Sequence, residues 1–239
     1  MDQTAINMEK ICVILPMRGG SKGLRNKHLQ TIRGSTLAKI TSKTVREELD
    51  DKIFFIVSTD SKEIASECID YVDKVDMRPT NLASDFISIE EVLKYTSIKY
   101  AEEFEYGLYL SACDISRPKG LIKDTYKIFI ENSYDSLFWG EYTHKKYWET
   151  KHSPPSLVKG IEKSYKPRQR DSASRVLIEH TGLGLFTKVK FWREGLRHGG
   201  KRKILELPYN YRHIDIHSEL DIKLAETYLN NEPKLILNL

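Results

Sequence analysis

Leu15-Pro16-Met17-Arg18-Gly19-Gly20-Ser21-Lys22-Gly23-Leu24-Arg25-Asn26-Lys27-His28 follows on a short apolar run that starts at Ile11. The run Ile11 to Leu15 reads as a buried strand, and what comes after it is glycine-rich and basic. Gly19, Gly20 and Gly23 allow tight turns and let main-chain N–H groups approach an anion. Arg18, Lys22, Arg25 and Lys27 add charge at short intervals. From Arg18 to Arg46 there are eight Lys and Arg residues and no Asp or Glu. A strand feeding such a loop, with a helix after it, is a common way for α/β proteins to hold a polyphosphate.

The loop is not a Walker A motif, because Gly23 is followed by Leu24 and Arg25 rather than Lys and Ser or Thr. The Gly-x-Gly-x-x-Gly spacing of dinucleotide-binding loops is absent too. The competing reading is a basic surface loop. Its place directly after the first strand favours the anion site.

The 239 residues suit one large α/β domain with a small appendage, and 40% hydrophobic residues suffice for a sizeable core. A net charge of +4 is too mild to mark a nucleic-acid-binding protein. No apolar run approaches the ~20 residues needed to span a bilayer. Met1 to Asn7 lack a basic segment followed by an apolar one, so no signal peptide is expected. Cys12, Cys68 and Cys113 are far apart and match no metal spacing. They read as reduced core thiols of a cytoplasmic protein.

Strand and helix patterns alternate along the chain. Ile53 to Val57 reads as a strand ending at Ser58-Thr59-Asp60, with Asp60 capping a helix and Glu63 in the capping-box position. Ser88 and Glu91 repeat the device before a helix whose inward positions are Ile89, Val92, Leu93 and Ile98. Leu108 to Ala112 reads as a strand. Pro118 to Glu131 reads as a helix with Leu121, Ile122 and Phe129 inward, and Asp135 to Trp139 as the next strand. Residues 142 to 176 break the rhythm with nine Lys and Arg against three acids. They read as an insertion used as a lid or in dimerisation. Gly182 to Phe186, a helix near Lys190 to Arg197 stopped by Gly199-Gly200, and strands at Lys203 to Leu207 and His213 to Ile216 follow. Ser218 and Asp221 open a last helix carrying Leu220, Leu224, Ala225 and Tyr228. These β-then-α units predict a mostly parallel sheet with helices on both faces. The loops starting at Pro16, Ser58, Ala112 and Ile216 then converge at the carboxyl ends of the strands.

At this point the chain resembles the N-acylneuraminate cytidylyltransferases and the wider group that activates Kdo and other nonulosonic acids. Met17-Arg18-Gly19-Gly20-Ser21-Lys22-Gly23 with Lys27-His28 is similar to the family's Ala-Arg-Gly-Gly-Ser-Lys-Gly and its following Lys-Asn. Ser58-Thr59-Asp60, Arg78-Pro79 and Leu82-Ala83-Ser84-Asp85 match further motifs. Leu110 through Arg117 aligns to Leu-Gln-Pro-Thr-Ser-Pro-Leu-Arg, and Asp215-Ile216-His217-Ser218 to a closing Asp-Ile-Asp-Thr. The resemblance covers nearly the whole chain. It implies a single Rossmann-like nucleotidyltransferase domain over residues 8–239, α/β and doubly wound, with the 142–176 insertion inside it.

The resemblance also implies a reaction. CTP and an acidic sugar give a CMP-sugar and pyrophosphate, a transfer that needs positive charge along the triphosphate. Arg18, Lys22 and Lys27 match the cationic positions. Leu15, Met17, Gly19, Gly20, Ser21, His28 and Ser88 fall at nucleotide contacts, and Arg78 at the arginine beside the cytosine. Ser111, Asp114, Arg117, Arg168, Gln169 and Arg170 fall on the acceptor side. Asp215 matches the first metal ligand and His217 the second, for magnesium or manganese. A homodimer is implied, with neither nucleic acid nor membrane as partner. Asp60 and Asp221 read instead as helix caps.

The departures cluster on the acceptor and metal side. His28 replaces an Asn, and an imidazole cannot copy an amide's donor–acceptor pair. His217 replaces a metal-binding Asp, although magnesium prefers oxygen. Ser111 replaces a Gln, Cys113-Asp114-Ile115 replaces Thr-Ser-Pro, and Thr181 replaces an Asn. The expectation is a cytidylyltransferase whose acceptor differs from ordinary sialic acid. The alternatives are the same chemistry on Kdo, another nonulosonic acid or a phosphonate, a CTP-binding chain without activity, and a nucleic-acid binder using residues 142 to 176.

Overall fold

The computed structural model describes residues 11–21, 23–50, 53–143, 148–151, 156–157, 176–208, 211 and 213–231. Among them lie strands β1 (Ile11–Met17), β2 (Thr31–Ile32), β3 (Ser35–Thr36), β4 (Ile53–Thr59), β5 (Lys74–Met77) and β6 (Tyr106–Tyr109). Strands β7 (Ser136–Thr143), β8 (Trp148–Glu149), β9 (Ser156–Leu157), β10 (Val176–His180), β11 (Leu185–Lys188) and β12 (Arg202–Glu206) follow. The helices are α1 (Leu37–Leu49), α2 (Lys62–Cys68), α3 (Ile89–Tyr100), α4 (Leu121–Glu131), α5 (Val189–Arg193) and α6 (Glu219–Asn231). None is long and apolar enough to cross a membrane.

β1 is central because both of its faces are apolar. Ile11, Val13, Leu15 and Met17 point to one layer, and Cys12 and Ile14 to the other. Such a strand must be covered twice. Helices α1, α2 and α4 close the first face through Ala38, Val45, Ile64, Ile122 and Phe129. Helices α3 and α5 close the second through Leu93, Val189 and Trp192. β1 pairs in parallel with β4 and β6, and β4 with β5. β11 runs antiparallel between β6 and β7. The expected mostly parallel, doubly covered sheet is therefore present.

The sheet forks at β7. β12 lies parallel along one edge, from Ser136 to Gly140. The other edge takes β11 at Ser136 and Leu137, then β10 from Trp139 to Thr143. β10 and β11 are one run of chain interrupted at 181–184.

Several local expectations shift. Asp60 does not cap α2; Ser61 does, accepting from the Ile64 amide at 3.2 Å. The Ser88–Glu91 capping box of α3 forms as expected, but Ile98 faces outward. β6 ends at Tyr109 and leaves Leu110 to Ala112 as loop. Chain reversal through the 3₁₀ turn Thr181–Leu183 confines the next strand to β11. Helix α5 stops at Arg193, where Gly195 takes a φ of +82°, well before Gly199-Gly200. His213 to Ile216 forms one isolated bridge, Asp114 to Asp215, rather than a strand. On α6, Leu220 and Leu224 are exposed; Ala225 and Leu229 face inward with Ile222 and Tyr228. Asp221 does cap, accepting from the Ser218 and His217 amides at 2.7 and 2.9 Å. Of the expected insertion, 142–143 belong to β7 and 148–149 pair with 156–157; residues 158–175 lie outside the described residues.

Candidate active site

The basic loop after β1 turns without a left-handed glycine. Among described loop residues only Asn26 has a positive φ, at 50°. Gly19 and Gly23 serve close approach instead. A Cβ on Gly19 would meet the Ser61 Cβ at 3.0 Å, and one on Gly23 the His217 carbonyl at 3.2 Å. The hairpin β2–β3 lies between the loop and α1 in the chain. Anion binding here falls to side chains and loop amides. The Gly19 amide is already engaged, donating to Asp60 Oδ1 at 2.8 Å.

The four strand-end loops converge. Ile115 N–H donates to the Ile214 carbonyl and Ile216 N–H to that of Cys113, at 3.2 and 3.0 Å. A cavity of about 290 Å³ opens at this edge. Arg18, Ser21, Lys27 and His28 line one side, Arg78 and Ser88 another, and Ser111 with Cys113 the floor. Seven residues expected from sequence thus meet here: Arg18, Ser21, Lys27, His28, Arg78, Ser88 and Ser111. Leu15 and Met17 do not join them; their side chains are fully buried in the core. Gly20 borders an adjoining cavity. Lys22, Arg168, Gln169 and Arg170 lie outside the described residues.

Arg78 is largely buried, and its Nε has no hydrogen-bond partner. Burial pulls its guanidinium below the usual range, opposed by the charges of Asp60 and Asp76. The residue is fixed from below. Its amide donates to the Thr59 carbonyl at 2.7 Å. The wholly buried Asp76, two residues earlier, accepts from Ser58, Lys99 and Tyr100 at 2.9–3.0 Å. Arg78 lines the cavity, and a buried donor left without a partner calls for an explanation.

His28 faces Arg18 O with Nδ1 at 3.1 Å and the Cys113 thiol with Nε2 at 3.6 Å. A carbonyl only accepts, so Nδ1 carries the proton and Nε2 accepts from the thiol. Burial lowers the His28 pKa to about 4, helped by Lys27, Arg78 and Arg18. Both nitrogens are thus held by the protein. The ring bounds the cavity without presenting a free polar edge to a base.

Asp114 sits beyond the cavity floor. It is nearly buried and its Oδ1 meets His213 Nε2. The His213 ring lies 3.9 Å from that of His180, whose Nε2 is 3.5 Å from Glu141. Gly182 is obligatory here: a Cβ would lie 1.8 Å from Asp114 Oδ2 and 2.9 Å from the Ser111 Cβ. Arg117, expected on the acceptor side, is fully buried. Its Nε donates to Leu183 O at 2.8 Å and its Nη2 to Gly182 O at 2.7 Å and to Ser111 O. It acts as a strut joining the 111–117 loop to the 181–183 turn, since these carbonyls need a buried donor. Asp215 is one-third exposed and pairs with His217 Nε2 at 2.7 Å.

Sequence reasoning passed over Asp85, which pairs with Arg18 at 2.5 Å. It also passed over His180 and His213. Asp85 was within the quoted Leu82-Ala83-Ser84-Asp85 motif, so its position was marked and only its partner was hidden.

Residues 12–110 match the family model described as Cytidylyltransferase. The chain is 26% identical over 197 residues to the pseudaminic acid cytidylyltransferase of Campylobacter jejuni, covering 78% of this chain and 82% of that one. It is 25% identical over 221 residues to N-acylneuraminate cytidylyltransferase A of Danio rerio, covering 90% of this chain. Over residues 12–110 the chain is similar to the cytidylyltransferase family. The chain spans about half the length of the Danio rerio relative. A solved CMP:2-keto-3-deoxy-manno-octonic acid synthetase complexed with CTP shares the cytidylyltransferase fold. The TM-score is 0.65 at 14% identity, over 94% of this chain and 99% of that one.

Proposed function

We propose that this chain transfers CMP from CTP to the anomeric hydroxyl of an acidic sugar and releases pyrophosphate. The observation that carries the reading is the meeting of Arg18, Lys27 and the unpartnered Arg78 in one cavity at the end of β1. The hydroxyl oxygen attacks the α-phosphorus, the bond to the β-phosphate oxygen breaks, and pyrophosphate leaves with the electron pair. Such a displacement asks for positive charge along the phosphates more than for covalent help. Arg18 and Lys27 supply it, with Lys22 by its place in the motif. The Arg78 guanidinium donates to the carbonyl of the base. Family relatives named for sialic and pseudaminic acids support an acidic sugar as acceptor. Ser111 lines the cavity on that side, and the departures at Ser111 and Cys113-Asp114-Ile115 favour an acceptor other than ordinary sialic acid.

Magnesium fits through one protein carboxylate. Among the described residues no three His, Cys, Asp or Glu side chains are arranged to hold an ion. Asp215 would hold it together with the nucleotide's own oxygens, the ligand type magnesium favours. Bound there, it would add positive charge at the α-phosphate. His217 then steadies the Asp215 carboxylate from outside. The same reading carries a homodimer, checked by light scattering at several concentrations.

The test is pyrophosphate release from CTP, with magnesium or manganese, across sialic, legionaminic, pseudaminic and Kdo-type acids. Release with one acid, and with CTP in preference to the other nucleoside triphosphates, is expected. A protein that neither binds CTP nor releases pyrophosphate would overturn the reading. Asp215→Ala should lose the response to added magnesium.

A further inference from the structure

Arg18 Nη1 and Asp85 Oδ1 lie 2.5 Å apart, each side chain about 30% exposed. The pair stands between two cavities. Arg18, Ser21, Ser84 and Asp85 line both the 290 Å³ cavity and a neighbour of about 400 Å³ that reaches Gly20, Ala83 and Phe86. It is the partition dividing one cleft.

We propose that Asp85 is a positioning residue that sets nucleotide affinity: it holds Arg18 across the cleft and yields it to the nucleotide's phosphates, which joins the two cavities. The inference rests on reading the cavity as a nucleotide site. The Nη1 N–H that meets Asp85 cannot also meet a phosphate, so the two anions compete for that edge of the guanidinium. A half-exposed ion pair is weakly held, whereas a phosphate can engage the guanidinium through two charge-assisted bonds. The exchange therefore runs toward the phosphate. Like charge then drives Asp85 away from the bound polyanion. The segment that must move is short. The 3₁₀ turn Thr80–Leu82 fixes one end and the Ser88–Glu91 capping box the other. Between them Phe86 is 91% exposed. Moving Asp85 therefore asks little of the core.

The test is calorimetric titration of CTP, with magnesium, into wild type, Asp85→Asn, Asp85→Glu, Arg18→Ala and the double variant Arg18→Ala/Asp85→Asn. Asp85→Asn should tighten CTP about tenfold, and Asp85→Glu should stay within about twofold of wild type. In the Arg18→Ala background the gain from Asp85→Asn should largely vanish. Unchanged or weaker binding by Asp85→Asn overturns the proposal, as does an equal gain with and without Arg18, which marks general charge repulsion. A wild-type protein that binds no CTP overturns the nucleotide reading itself, and the Asp85 role with it.

Discussion

The Gly19 amide donates to the Asp60 carboxylate across 2.8 Å, tying the loop after β1 to the end of β4. Two neighbouring strand ends are thereby locked before any ligand engages them. Asp60→Ala should free the loop and weaken CTP about tenfold, the scale of one lost charge-assisted bond. Asp60→Asn keeps an acceptor oxygen and should lose less. Titration calorimetry separates the two.

His28 makes stability depend on acid. Its folded pKa is about 4, below the ordinary 6.5. Between these values the unfolded chain binds a proton that the folded chain refuses. The stabilisation is therefore complete above pH 6.5 and is lost as pH falls from 6.5 through 4. In full it amounts to about 3 kcal/mol. Urea unfolding of wild type and His28→Asn at pH 7.5 and 4.5 checks this. The drop on acidification should be smaller in the variant by about 2.5 kcal/mol, the part of the loss reached by pH 4.5, and equal drops refute it.

Gly182→Ala should push Asp114 off His213, because the new Cβ overlaps the carboxylate. Acceptor-dependent pyrophosphate release should fall about 100-fold through misplacement of the acceptor side. CTP binding, handled across the cleft, should persist. Loss of both together would show that the two sides are not separable.

Glu48 closes a helix to which it does not belong. Gly120, at the N-cap of α4, has no side chain to offer, and Glu48 on α1 accepts from the Gly120, Ile122 and Lys123 amides at 2.7–3.3 Å. Glu48→Ala should cost about 1–3 kcal/mol. Thermal unfolding measures the loss, while activity at 25 °C stays near wild type.

The elements that sequence revealed were those whose cause is local. β1 and β4 announce themselves as apolar runs, and Ser88 with Glu91 satisfies the first turn of α3 within four residues. Arg18 and Lys27 were legible in the glycine-rich basic loop after β1, and Arg78 through its match to a family position. What stayed hidden depends on distant partners. Asp60 looks like a cap until Gly19 is beside it. Arg117 looks like a free cation until the 181–183 carbonyls close over it. The outward turn of Ile98, Leu220 and Leu224 reflects which layer each helix meets, and periodicity within one helix carries no such information.

The second core cluster joins the two ends of the described chain. Leu24, Ile32, Leu37 and Ile40 pack against Ile216, Ala225 and Leu229, with Cys113 and Ile115 between them. During synthesis the loop that carries Arg18 and Lys27 emerges well before α6, which supplies part of the wall behind it. The earlier segments must wait, with that apolar face uncovered, until α6 has been made. Contacts this remote in sequence close slowly. The loop thus gains this support only after α6 is made, and a ribosome stalled before residue 216 would hold a formed sheet with an unsupported loop.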